Sequence, residues 1–300
     1  PELADLVETV AARWLPAPAG AFIDPRDPRG LTLGYGQRSD GSWAPIGLPY
    51  DLLRYVLWMT APMGRGKTEW LKHLFDGLLR ARAGFMALDC KGTDLVNSMV
   101  ERIPLEREKD VVLLDLNGLR CNGDHLFAAM NMLSGEFGRT LGVDPDTQAS
   151  TILSLFATLD ERFDSAPGMQ NFAMMGMLAL LEGQPQATMQ HLVRFYADER
   201  YRVHVCAGLT NKTVQDFWLT RFPQMLGQDT SSLVAFQRRL DLLLTYPALA
   251  ALMVAPGCSI NLRELMDGGG ILLAGISAKD GKIAAIAATL LLTQMTLAAL

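Results

Sequence analysis

The chain has 300 residues, of which 49% are hydrophobic and 20% are charged, and its formal net charge is −5. This composition excludes a disordered chain, because there is enough apolar matter to offset the entropy of ordering, and the length allows one large domain or two ordinary ones. The net negative charge excludes a surface that is attracted as a whole to a polyanion such as nucleic acid, although a local basic stripe stays open.

The first part of the chain predicts a short helix followed by strands. Apolar residues at helical spacing predict a helix over residues 2–15, which prolines end within residues 16–28. Residues 31–36 and 43–48 predict the two strands of a hairpin. Residues 55–60 form a continuous apolar run with glycines after it, which is typical of a parallel strand covered on both faces.

Strands and helices then alternate. We predict helices over residues 67–82 and 94–102 and strands over residues 85–88 and 111–115. The first of these helices is expected to bury Leu71, Leu74, Leu78 and Leu79. Because parallel neighbours cannot be joined by tight turns, the alternation predicts an α/β fold with a parallel sheet and crossover helices.

The rest of the chain is predicted to be helical apart from one strand. Helical periodicity extends over residues 144–252, and we interpret it as a helical subdomain inserted into the sheet. Sheet character returns at residues 270–276. Residues 283–300 are rich in Ala and Leu, but Thr and Gln residues interrupt them, so we predict a buried helix and not a membrane span.

The cysteines and the N-terminus indicate the compartment. Cys90, Cys121, Cys206 and Cys258 lie far apart, with no Cys-x-x-Cys pair and no histidine at metal-ligand spacing. We interpret them as reduced core residues of a cytoplasmic protein. No charged and then apolar leader follows Pro1, so we predict no secretory signal and expect the chain to be part of a longer protein.

The sharpest signal is residues 61–68, APMGRGKT, which fit the phosphate-loop (P-loop) pattern with alanine in place of the first glycine. Gly64 and Gly66 allow a tight turn whose amides point inward, and the following helix directs its positive dipole at the same anion. We expect Lys67 to reach the terminal phosphates of ATP and the Thr68 hydroxyl to ligate Mg²⁺. The predicted nucleotide-binding residues are Ala61, Pro62, Met63, Gly64, Arg65, Gly66, Lys67, Thr68 and Glu69.

Two roles stay open around this loop. Glu69 also fits a first-turn acid that stabilises the helix dipole. ATP hydrolysis needs a further acidic residue at the end of an apolar strand, and three places compete for it. These are Asp115 as a metal ligand, the pair Asp160 and Glu161, which also fits a solvated helix face, and a strand beyond Leu300 where we expect an Asp-Glu pair.

Several segments, in order, resemble landmarks of the coupling ATPases of type IV secretion and conjugation (TraD/TraG-like), relatives of the FtsK and HerA type DNA translocases. The P-loop is the specific one; the others are residues 31–34 (LTLG), 88–95 (LDCKGTDL), 115–117 (DLN), 127–133 (FAAMNML), 217–218 (FW) and 268–273 (GGGILL). The resemblance covers most of the chain from about residue 31 onward. The chain departs from the family pattern at Ala61, at Asn131-Met132 in place of Asn-Pro, and in showing no Asp-Glu strand by Leu300.

The resemblance implies a RecA-like P-loop NTPase with a mainly parallel central sheet and an inserted all-helical subdomain. The predicted divisions are an N-terminal helix and linker (residues 1–30), the first part of the nucleotide-binding domain (31–143), the helical insertion (144–255) and the continuation of the nucleotide-binding domain (256–300). The implied activity is that of a bacterial DNA translocase that uses ATP and Mg²⁺, works as a homo-hexameric ring, and lies in the cytoplasm or at the cytoplasmic face of the inner membrane. It would meet the membrane or a secretion channel through regions outside this chain.

In such a ring a neighbouring subunit supplies an arginine to the transferred phosphoryl group, and Arg238 and Arg239 are candidates. Four further basic residues are candidates for a DNA path, namely Arg200, Arg202, Lys212 and Arg221. Both sets also fit a solvated surface. One alternative function is a nucleotide-dependent docking module for protein or relaxase substrates with little turnover. Another is an unrelated P-loop kinase or GTPase, although that class lacks the long helical insertion.

Overall fold

A computed structural model describes residues 30–50, 59, 62–122, 124–159, 163–226, 230–276 and 281–299 of the chain. The predicted helix over residues 2–15 and nearly all of the predicted strand over residues 55–60 lie outside these residues, as do Ala61, Asp160 and Glu161. The chain divides into two compact units, one drawn from residues 1–83 and 97–105 and the other from residues 84–96 and 106–300.

The first unit contains the predicted hairpin, which the structure confirms. Strands β1 (Gly30–Gln37) and β2 (Trp43–Pro49) pair antiparallel, with an irregularity in the register between Thr32 and Gly34. The Asp40 carboxylate accepts hydrogen bonds from the Ser42 hydroxyl and the Ser42 N–H, and both bonds lower the pKa of Asp40.

Helix α1 (Lys67–Arg80) follows in the same unit. It is two residues shorter than predicted, because Arg82 has a φ of 54°, a left-handed conformation that a helix cannot contain. Its buried side chains are Phe75 and Leu79, whereas the three other leucines predicted to be buried are only half-buried.

The second unit contains a three-stranded parallel sheet made of β3 (Phe85–Asp89), β4 (Val111–Asp115) and β7 (Ile271–Gly275). The strand order is β3-β7-β4, so the strand that follows the long helical stretch lies between the two strands that precede it. All five residues of β7 are buried, as its uninterrupted apolar sequence predicts. The fold is thus mixed α/β with a parallel sheet.

A second hairpin was not predicted. Strands β5 (Leu119–Cys121) and β6 (Asp124–Leu126) pair antiparallel around Asn122, which has a φ of 51°. Their three-residue length gives no measurable alternation of polar and apolar residues. The signal that could have identified them is the Asn122-Gly123 dipeptide, which favours a two-residue hairpin turn.

Helices make up most of the second unit, and the helical stretch begins before residue 144. Its first helix, α3 (Gly135–Leu141), starts early because the Ser134 hydroxyl caps it by accepting a hydrogen bond from the N–H of Phe137 at 3.3 Å. A short helix α2 (Asp94–Val100) comes earlier in the chain, two residues shorter than predicted. The remaining helices are α4 (Pro145–Leu159), α5 (Pro167–Gly183), α6 (Met189–Ala197), α7 (Glu199–Ala207), α8 (Lys212–Asp216), a π-helical segment (Phe217–Arg221), α9 (Phe222–Met225), α10 (Ser231–Thr245), α11 (Pro247–Val254), α12 (Leu262–Asp267) and α13 (Gly281–Ala299).

The centre of the helical part is an aromatic cluster around Trp218. The ring of Trp218 lies within 4.7–6.5 Å of five other aromatic rings, and its Nε1 donates a hydrogen bond to the Met175 carbonyl at 3.0 Å. Those rings belong to Phe172, Phe195, Tyr196, Phe217 and Phe222. Rings at these separations gain energy beyond their buried area, so the cluster stabilises the helices that it joins.

Helix α13 is both long and apolar, and much of it is buried, as the sequence indicated. In the described part of the chain it is the one helix long and apolar enough to cross a membrane by length and composition. Much of it nevertheless packs into the core of the second unit, including Leu290, Leu291 and the fully buried Gln294.

One prediction about the cysteines is wrong. Cys206 is buried and Cys258 is partly buried, but Cys90 is exposed, because it lies just past the last residue of β3.

Candidate phosphate-binding site

The loop that precedes α1 is built on two glycines in left-handed conformations. Gly64 has a φ of 75° and Gly66 a φ of 78°. A Cβ placed on either residue would meet no atom within 4 Å, so crowding does not select glycine here. The left-handed backbone conformation selects glycine at both positions, since residues with a Cβ rarely adopt it.

The helix begins immediately after the second of these glycines. Gly66 precedes the first helical residue and accepts the first helical hydrogen bond, from the N–H of Trp70 at 2.9 Å. Glycine has no side chain with which to cap the helix, so the amides of the first turn are open to an external acceptor. Together with the helix dipole, these amides favour an anion at the loop.

The Lys67 ammonium is held at the loop. Its Nζ donates a hydrogen bond to the Pro62 carbonyl at 2.9 Å, across a turn that a second hydrogen bond closes, from the N–H of Arg65 to the same carbonyl at 3.4 Å. A carbonyl is a neutral acceptor, and a phosphate oxygen makes a stronger, charge-assisted bond with the same ammonium. The positive charge is therefore held beside the turn at residues 62–65.

The other predicted loop residues differ in accessibility. Thr68 is exposed on the first turn of α1, and Met63 is 93% exposed. Glu69 forms an ion pair with Lys72 at 2.8 Å, and this bond lowers the pKa of Glu69. Its carboxylate is thus occupied by its own helix, as a dipole-stabilising acid would be.

Two carboxylates lie at the carboxyl end of the sheet in the second unit. Asp89 ends β3 and Asp115 ends β4, and both are in register with Gly275 of the central strand. Adjacent strands lie about 4.8 Å apart, so the two aspartates are separated by about 10 Å. This edge is where open α/β sheets bind ligands.

The two aspartates have backbone partners. Asp89 Oδ1 accepts hydrogen bonds from the N–H groups of Lys91 at 3.0 Å and Gly92 at 3.2 Å, and its Oδ2 accepts one from Leu95 at 3.3 Å, so it orders the loop after β3. Asp115 Oδ1 accepts hydrogen bonds from the N–H of Asn117 at 2.8 Å and from the Asn117 side-chain amide at 3.4 Å. Sequence reasoning did not single out Asp89, although it also ends an apolar strand.

The basic candidates lie on the helices of the second unit. Arg238 is exposed on α10, and Arg239 donates to the Ala235 carbonyl of the same helix at 2.8 Å. Arg221 pairs with Asp216 at 3.2 Å, Lys212 bonds the Gln215 side chain at 3.0 Å, and Arg200 is exposed.

Arg202 cannot line a surface path as predicted, because it is buried. Its guanidinium carbon lies 4.7 Å from the centre of the Phe222 ring, and the guanidinium donates hydrogen bonds to the carbonyls of Phe195 at 3.1 Å and Tyr196 at 3.2 Å. Burial lowers the pKa of Arg202.

Within the described residues, no three side chains of His, Cys, Asp or Glu are grouped so that they could hold a metal ion by themselves.

No protein-family model matches the chain, and no curated protein matches it.

Proposed function

We propose that the chain binds a nucleoside triphosphate with Mg²⁺ at residues 61–68 and is the nucleotide-binding core of an ATPase. The observation that carries the proposal is the geometry of the loop. Gly64 and Gly66 both have left-handed backbones, α1 starts directly at Lys67, and the Lys67 ammonium is bonded to the Pro62 carbonyl.

The residues present fit such a ligand. The amides at the start of α1 would bind phosphate oxygens, Lys67 would neutralise charge on the terminal phosphates, and the Thr68 hydroxyl would ligate Mg²⁺. The metal would supply charge neutralisation between the phosphates, which is its usual part in phosphoryl transfer. Asp115, at the end of β4, stays the sequence-based candidate for the acidic residue that ATP hydrolysis needs.

The finer proposal is a RecA-like DNA translocase. It rests on the order of sequence landmarks shared with the type IV secretion and conjugation ATPases, and the parallel sheet with a long helical stretch between β4 and β7 is compatible with it. Under this proposal the protein works as a hexamer that moves DNA or a nucleoprotein substrate, with Arg238 or Arg239 acting on the nucleotide of a neighbouring subunit.

The proposal is tested by calorimetric titration of ATP with Mg²⁺. Lys67→Ala removes the charge that the loop presents, and a hydrogen bond between charged groups is worth about 1.5–3 kcal/mol, so we expect affinity to fall about 10- to 150-fold. Lys72→Ala is the matched control, because it removes a lysine from the same helix. Lys72 pairs with Glu69 and lies one turn away from the loop.

Absence of Mg-ATP binding by the wild-type protein would overturn the proposal, as would equal losses in the two variants. ATP turnover with and without DNA then separates the two finer functions. A motor is stimulated by DNA, whereas turnover that DNA leaves unchanged favours the docking module.

A further inference from the structure

The hairpin of the first unit is anchored on α1 at two points. Trp70 Nε1 donates a hydrogen bond to the Leu33 carbonyl at 2.9 Å, one helical turn after Lys67. Further along the helix, the buried Leu31 side chain packs against Gly77, where a Cβ would collide with it. The first contact therefore lies beside the phosphate-binding loop, whereas the second lies about three turns away from it.

The contact at Trp70 uses a residue that β2 leaves unpaired. Thr32 and Gly34 pair with neighbouring residues of β2, so Leu33 has no partner residue within the described hairpin. This is the pattern of a β-bulge, in which one extra residue leaves the ladder, and bulges are common next to functional sites. Here the carbonyl of the extra residue accepts the indole N–H, and we call this contact the Trp70 clamp.

The Trp70 clamp acts on the first turn of α1. The backbone N–H of Trp70 donates to the Gly66 carbonyl at 2.9 Å, which is the first hydrogen bond of the helix. Trp70 thus binds the last glycine of the loop through its backbone and the hairpin through its side chain. An indole has one N–H and no acceptor, so the clamp uses the whole hydrogen-bonding capacity of this side chain.

A phosphate-binding loop gains affinity when its amides already point at the anion before it binds. Gly64 and Gly66 lose more conformational freedom on ordering than other residues would, so the two flanks of the loop have to hold it. On one flank, the N–H of Arg65 closes a turn by bonding to the Pro62 carbonyl. On the other flank, the Trp70 clamp fixes the first turn of the helix.

We propose that Trp70 is a positioning residue for the phosphate-binding loop, whose first helical turn it holds against the bulge at Leu33. This inference rests on the proposed function. Under that function the loop amides and Lys67 bind phosphate oxygens, so the clamp serves the polyphosphate chain of the ligand and not its base. ATP and inorganic tripolyphosphate should therefore depend on the clamp alike.

The experiment compares the wild type with Trp70→Phe, which keeps an aromatic ring but removes the N–H. Calorimetry measures the affinity of each protein for Mg-ATP and for magnesium tripolyphosphate. The net worth of one neutral hydrogen bond limits the loss, so we expect both affinities to fall by the same factor, about 2- to 12-fold.

Leu31→Ala is the matched control. It removes buried packing between the same strand and the same helix, but far from the loop, and it should lower the urea midpoint of unfolding more than Trp70→Phe does. Its affinities for both ligands should nevertheless equal those of the wild type. If Trp70 only stabilised the fold, affinity would follow stability, and Leu31→Ala would be the weaker binder of the two variants.

Each result supports or overturns the proposal. Wild-type affinities in Trp70→Phe overturn the positioning role alone, and so does a loss of ATP affinity with tripolyphosphate unchanged, since that result would place the ring against the base. Failure of the wild type to bind either ligand overturns the proposed function as well. Should Trp70→Phe fail to fold, the wild type decides by NMR. Because coupling is reciprocal, magnesium tripolyphosphate should slow hydrogen exchange of the Trp70 indole N–H, and unchanged exchange contradicts the proposal.

Discussion

At the scale of single residues, the three cysteines with described side chains differ in how reactive they can be. Burial raises the pKa of Cys206 and of Cys258 to about 11, against the smaller opposing effects of the Arg202 charge on the first and of hydrogen bonds with the Asn131 backbone and the Gln294 side chain on the second. Only the thiolate is nucleophilic, so both residues are protonated and inert near neutral pH. Cys90 is exposed.

We expect iodoacetamide at pH 7.5 to modify Cys90 before Cys206 and Cys258 in the native protein. Because the thiolate fraction rises tenfold per pH unit below the pKa, modification of Cys206 and Cys258 should accelerate with pH until about 11, as long as the fold persists. Peptide mapping by mass spectrometry measures each site separately. Modification of Cys258 as fast as Cys90 at pH 7.5 would contradict the burial of its thiol.

Much of the candidate site could be predicted at this scale. Gly64, Gly66, Lys67 and Thr68 are identifiable because a phosphate-binding loop requires particular residue types at fixed spacing. The ion pair of Glu69 with Lys72 could not be assigned from sequence, since first-turn acids and ligand-contacting acids look alike there. Arg202 was predicted to lie on the surface but is buried, because the sequence does not show whether an arginine packs against an aromatic ring.

At the scale of elements, Glu182 joins the end of α5 to the start of α8. Its carboxylate accepts hydrogen bonds from the Thr210 N–H, from the Thr210 hydroxyl at 2.6 Å and from the N–H of Asn211 at 3.4 Å. Partial burial alone would raise the pKa of Glu182, but these bonds and the Lys212 charge together lower it below its ordinary value of 4.5. The ionised carboxylate is thus the form that the fold prefers.

Glu182→Gln should lower the free energy of unfolding by about 1 kcal/mol at pH 7, since the group is partly exposed. Because the folded-state pKa is lowered, the stabilisation is complete above 4.5 and is lost as the pH falls through the folded value, so the difference between the two proteins should shrink as the pH falls below 4.5. Urea unfolding at pH 7 and pH 4 measures this, with Glu101→Gln at an exposed turn as control. A difference that does not change with pH would assign the effect to packing.

The elements themselves were mostly predictable. Uninterrupted apolar runs located β3, β4 and β7 to within a residue or two, although only β7 of the three is buried along its whole length. The ends of the helices were less predictable. Helix α1 stops because Arg82 adopts a left-handed conformation, and no residue type in that segment indicates this conformation. The β5–β6 hairpin was missed because it contributes little to the core.

At the scale of the whole molecule, the order of strands could not be read from the sequence. Periodicity reports whether an element is buried, but not which strand it pairs with. The structure places β7 between β3 and β4, although the long helical stretch separates it from both along the chain. In the described sheet β3 and β4 each pair with β7 and not with each other, so the sheet cannot form until the helical stretch has brought β7 back.

This arrangement predicts that the three strands open together. Leu273 is fully buried at the centre of β7, and Leu273→Ala should cost about 2–5 kcal/mol. If amides of β3, β4 and β7 exchange through one opening reaction, hydrogen exchange in all three strands should accelerate by the same factor, about 30-fold or more. Leu113→Ala is the matched control, because Leu113 is the β4 partner of Leu273 in the register but is 37% exposed, so its effect should be smaller. Acceleration confined to β7 would show that β3 and β4 keep their protection without the central strand, and that the sheet is not one cooperative unit.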